Sequence, residues 1–299
     1  MPNDIASQIS DLFDLSQKVP SNTMIYLETS GLLLLCAMVA IFVFVKREFG
    51  LKFMPVMYGF CVYILFYMLF GSLSSSFFTK LDTTNMPVDS VAYLNVLSLI
   101  PICACIVFGR FIAMIVLKKY YHDYCDTIGI GLGFALTEAA IACFSALVNY
   151  VLCSTINDMG LVALANSFDD VELAAKNIES LYSLITISPF TYIIAGLENI
   201  MYLVFHTEIS ILYYGIAKGD IKKPHILSLI GITVLMYAPS TISSSGMISR
   251  PAALAIELVI FAVVTVFCVR FHSKNYNDIP AYVNPNKKLK NNRMLKGNR

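Results

Sequence analysis

Seven long apolar stretches run through this chain, at about 24–45, 54–77, 91–117, 127–156, 187–216, 226–244 and 252–271. Crossing about 30 Å of hydrocarbon takes roughly 20 apolar residues in a helix. With no water inside a bilayer, each backbone N–H and C=O must be satisfied within its own segment, which leaves the helix as the spanning element. The pattern therefore predicts an all-α, polytopic transmembrane helix bundle of about seven spans. Composition excludes the soluble alternative: 57% of the 299 residues are hydrophobic and only 14% charged, against about 25% charged in an ordinary soluble domain.

Lys and Arg set the orientation. With the N-terminus outside, sixteen fall on the cytoplasmic side: Lys46, Arg47, Lys52, Lys118, Lys119, Lys218, Lys222, Lys223 and eight from Arg270 to Arg299. Four fall on the other side, Lys18, Lys80, Lys176 and Arg250. This positive-inside bias predicts N-terminus out and C-terminus in. Three regions follow: an extracytoplasmic amphipathic segment over 1–23, a transmembrane bundle over 24–272, and a basic disordered cytoplasmic tail over 273–299. The one sizeable extracytoplasmic insertion, 157–185, interleaves Leu164, Val171, Leu173 and Ile178 with Asp169, Asp170, Glu172, Lys176 and Glu179, as in a surface-lying amphipathic helix. Residues 1–23 are too acidic for a cleaved signal peptide. The eight cysteines show no Cys-x-x-Cys spacing and read as small hydrophobes. No basic, aromatic-studded segment suggests nucleic-acid binding, and membrane lipid is the expected surrounding.

Function has to come from the ionisable groups inside the spans, which are Glu28, Arg110, Glu138, Glu198, His206 and Glu208, with Glu257 nearer the end of the last span. Such residues cost roughly 2.5–3.5 kcal/mol each on insertion scales, so they face the bundle interior and pair. Glu138 and His206 lie about twelve and ten residues from the cytoplasmic ends of their spans, which puts both near 15–18 Å deep at 1.5 Å per residue. They can be level neighbours. Arg110 lies closer to the cytoplasmic face, where it could snorkel or reach a carboxylate. Alone, each reads as part of a buried ion-pair network that fixes packing; together, at matched depth, they read as a site. Gly129, Gly131 and Gly133 precede Glu138 and read as a helix-packing surface.

Three segments resemble the YhfC family of glutamic-type intramembrane proteases, relatives of the CAAX-protease-like and PrsW membrane proteins. They are CIVFGRFIAMIVLKKY (105–120), GIGLGFALTEAA (129–140) and GLENIMYLVFHTEISILYY (196–214). The resemblance implies a bacterial plasma-membrane peptidase. A carboxylate, with histidines and a divalent metal such as zinc, would activate water to cut a transmembrane or lipidated peptide. It assigns Glu138 and His206 as catalytic residues and metal ligands, with Arg110 and Glu198 in support. The chain departs from the pattern at several positions. A Glu-Glu pair is replaced by Ile106 and Val107, a His four residues before Glu138 by Phe134, and a further His is missing near Thr233. Two other readings therefore stand beside a working peptidase. One is a non-catalytic scaffold, peptide-binding or immunity protein. The other is a small-solute or ion carrier, disfavoured by the lack of an internal repeat.

Overall fold

A computed structural model describes residues 5–68, 88–117 and 123–276. Among these residues the structure is helical throughout, as the apolar pattern requires. The helices are α1 (Ile5–Ile9), α2 (Ser21–Phe49), α3 (Phe53–Tyr63, continued by a π turn over Ile64–Met68), α4 (Val88–Leu117), α5 (Tyr124–Ala165), α6 (Val171–Thr186), α7 (Phe190–Lys218), α8 (Ile226–Ser244, after a 3₁₀ turn Lys223–His225) and α9 (Arg250–Asn275). Among the described residues, six helices are long and apolar enough to cross a membrane. They correspond to six of the seven expected spans. The other, at 54–77, appears as the shorter apolar helix Phe53–Met68, and its continuation over 69–77 lies outside the described residues. So does the tail beyond Tyr276.

Packing divides the chain into two units, Met1–Cys36 with Ala140–Asn199, and Ala37–Ala139 with Ile200–Arg299. In the first, Ile5, Ile9 and Leu15 of the N-terminal segment are buried, and Ile9 and Leu15 share a core with Cys153, Ile156 and Ile178. Asn157 of α5 and Asn166, just after it, tie that segment down. Asn157 accepts from the Val19 amide at 2.9 Å, and Asn166 accepts from the Ala6 amide at 2.8 Å. Helix α5 continues beyond the expected end of its span near 156 as far as a break at Gly160, after which a short helical segment runs to Ala165. At Gly160 the backbone takes φ 78°, a conformation that favours glycine. The amphipathic helix expected within 157–185 is α6. It is capped by Asp170, whose carboxylate accepts from the Leu173 amide at 2.8 Å, and it buries Ala174, Ile178 and Leu184.

The second unit holds α3, α4, α8, α9, the first part of α5 and the later part of α7. Its core joins Ile106, Val107, Ile130, Phe134, Phe205 and Met236. Helix α8 packs against both α4 and α9. The glycines before Glu138 are contact points. A Cβ on Gly131 would strike the Ser210 side chain and the His206 carbonyl of α7, and one on Gly133 would strike the α3 backbone at Val56 and Phe60. Hydrogen side chains let these backbones meet, as small residues do between helices in lipid.

Gly131→Val should therefore cost about 1–3 kcal/mol, the range for overpacking a close contact. Gly231, in α8, has open space around its would-be Cβ, so Gly231→Ala should be neutral or stabilising. Thermal unfolding of the detergent-solubilised variants distinguishes the two.

Candidate functional site

The close approach at Gly131 sets α5 against α7 and brings Glu138 to His206. Glu138 Oε2 lies 2.5 Å from His206 Nε2. The phenol of Tyr237, on α8, completes a triangle. It donates to the two Glu138 oxygens at 2.8 and 2.9 Å and lies 2.8 Å from His206 Nε2. On the other side of the ring, Arg110 of α4 places Nη2 2.8 Å from His206 Nδ1 and Nη1 3.1 Å from the His206 carbonyl. Four helices thus converge on one imidazole.

Burial grades these residues. Arg110 and His206 are each 1% exposed, whereas the Glu138 side chain retains 17%. Glu138 and Tyr237, both partly exposed, therefore form the accessible side of the cluster. Arg110 does not snorkel. Its guanidinium lies over the rings of Phe134 at 4.5 Å and Tyr213 at 5.1 Å, close enough for cation–π attraction in a dry core. It bonds to the imidazole and leaves the carboxylate to Tyr237 and His206.

A second polar group adjoins the first. Pro239 inside α8 has no N–H and loosens the helical turn. The next amide, Ser240 N–H, is bonded at 3.0 Å to Glu257 Oε1 of α9. The Tyr202 phenol donates to that same oxygen at 3.2 Å, and its ring packs 4.5 Å from the ring of Tyr237. Glu257 thereby fixes Tyr202, which packs against the phenol of the first cluster. Glu198, eight residues before His206 on α7, is buried in the other unit.

The match with a family model completes the picture. Residues 31–260 match the model of the YhfC intramembrane metalloprotease family. The chain belongs to that family. Searches of curated proteins and of solved structures gave no match.

The name of the YhfC family implies a metal, so the donor set has to be compared with one. Stable zinc sites use three or four protein ligands. Among the described residues, no three His, Cys, Asp or Glu side chains converge. The cluster offers one imidazole and one carboxylate beside a guanidinium, and both groups are engaged by protein partners. These residues do not fit a resident metal ion.

Sequence reasoning paired Glu138 with His206 and missed Tyr237. The available signal was a phenol in the middle of an apolar span, since a buried Tyr hydroxyl needs a partner. Tyr237→Phe removes the proton donated to Glu138 and should cost about 1–3 kcal/mol, the range for leaving a buried acceptor unsatisfied. In a Glu138→Leu background the same change should cost much less, and a double-mutant cycle in thermal unfolding measures the difference.

Proposed function

We propose that this chain is a YhfC-type intramembrane protease homologue that engages a transmembrane or lipidated peptide with peptidase activity reduced or lost. The observation that carries this reading is what fills the positions where the resemblance expects further acids and ligands. Ile106, Val107 and Phe134 are 4%, 0% and 0% exposed and belong to one apolar core. The Thr233 hydroxyl is occupied by the Leu229 carbonyl at 2.7 Å. Among the described residues, no further His, Cys, Asp or Glu joins Glu138 and His206 to stand in for them.

Glu138 remains as the candidate base. Its side chain is partly accessible, and among the described residues its Oε1 accepts from Tyr237. A water bonded there could lose a proton to the carboxylate, with His206 and Tyr237 holding the Glu138 side chain in place. The amide leaving group would still need a proton, and among the described residues no second carboxylic acid bonds within the Glu138 cluster to donate it. Loss of one general acid or base typically costs 10²–10⁴-fold in rate, which accounts for reduced or lost turnover. Binding needs less. An apolar groove in lipid with one polar centre can hold a membrane peptide by packing and by hydrogen bonds to its backbone.

Full-length protein in proteoliposomes, offered fluorescent transmembrane and lipidated peptides, should bind them saturably and cleave them slowly or not at all. Glu138→Gln should remove any residual cleavage and keep the binding. Rapid turnover by the unaltered chain would overturn the reading. Ion or solute flux abolished by Glu138→Gln would replace it with a carrier.

A further inference from the structure

The contacts of His206 assign its ring protons. A guanidinium has five N–H donors, no acceptor, and stays charged. With Arg110 Nη2 2.8 Å from Nδ1, the only hydrogen bond the two can form has Nδ1 accepting. In a neutral imidazole the proton is then on Nε2. That nitrogen faces Glu138 Oε2 at 2.5 Å and the Tyr237 oxygen at 2.8 Å, both able to accept. Tyr237 in turn passes its own proton to Glu138. Donors and acceptors alternate correctly around the cluster with no ion added.

We infer that Arg110 fixes His206 as its Nε2–H tautomer, so that this centre carries a proton where a divalent metal would need a lone pair, and binds neither zinc nor another divalent ion. A histidine coordinates metal through an unprotonated ring nitrogen. Here the one lone pair, on Nδ1, faces a cation, and Nε2 has none to give. Arg110 has little freedom to withdraw. It is 1% exposed, bonded through Nη1 to the His206 carbonyl, and held over Phe134 and Tyr213. A divalent ion at Nε2 would also sit one ring-width from a fixed positive charge in a medium of low dielectric. The cluster thus departs from the metal in its family's name, and does so whether or not the chain cleaves peptides.

The test uses full-length protein purified in detergent without chelator and supplied with zinc, and reads metal content, thermal unfolding and ¹⁵N-histidine chemical shifts. The His206 signals are assigned by their loss in His206→Gln. The expected result is metal far below one ion per chain, the same thermal midpoint with zinc as with chelator, and a pyridine-type Nδ1 beside a pyrrole-type Nε2. About one ion per chain, lost in Glu138→Gln while the protein stays folded, would overturn the inference. So would a pyrrole-type Nδ1 in the unaltered protein, a readout that stands even where His206→Gln folds poorly and assignment must come from replacing His122, His225 and His272 instead.

Discussion

A carboxylate inside an apolar helix bundle must be neutralised by its neighbours, and the second unit of this structure is arranged around doing that for Glu138. With only a small part of the Glu138 side chain accessible, most of the donors to its charge have to arrive from other helices. His206 comes from α7 and Tyr237 from α8, and Arg110 of α4 supplies the positive charge through the imidazole. Each contact needs its helix at a defined rotation and height. The network therefore specifies the packing as much as the packing specifies the network. Loss of one partner leaves the others buried and unpaired, the costly case for groups of low accessibility.

Backbone features make this convergence feasible. Gly131 removes the side chain that would hold α5 away from α7, and Gly133 does the same towards α3. On the opposite side, Pro239 breaks the regular bonding of α8 two residues after Tyr237. Glu257 occupies the amide of Ser240 and also receives the Tyr202 phenol. The close contact between the tilted rings of Tyr202 and Tyr237 then transmits that anchoring to the phenol beside Glu138. A local irregularity in one helix becomes the means of fixing an aromatic side chain in the neighbouring cluster.

The helices themselves were legible in the sequence, because a span of about 20 apolar residues leaves few alternatives. Their limits were less so. The extension of α5 past 156 to the break at Gly160 depends on the absence of an earlier breaker, which hydropathy does not register. Depth along the spans was enough to pair Glu138 with His206, since two residues at one level on neighbouring helices have few other partners. Depth does not report rotation about the axis, and so it could not tell whether Arg110 would reach outward or turn in to stack on Phe134. Tyr237 was hidden for another reason: a phenol carries no formal charge and adds apolar area, so it blends into the composition of its span. The amphipathic character of 1–23 was legible, but the bonds that hold the segment in the first unit come from Asn157 and Asn166, more than 130 positions away in the chain.

The departures from the family pattern are consistent with one another. With Ile106 and Val107 in place of two carboxylates, the charge of Arg110 lacks the anions the resemblance would set beside it. A buried guanidinium without a carboxylate partner needs diffuse negative potential and at least one good acceptor. Phe134 and Tyr213 supply the first through their ring faces, and His206 Nδ1 supplies the second. A histidine at 134 would replace an apolar face with a polar ring able to compete for that cation. The phenylalanine, the missing glutamates and the occupied imidazole are thus three aspects of one rearrangement. It leaves Glu138 as the cluster's single negative charge and Arg110 as its single positive one.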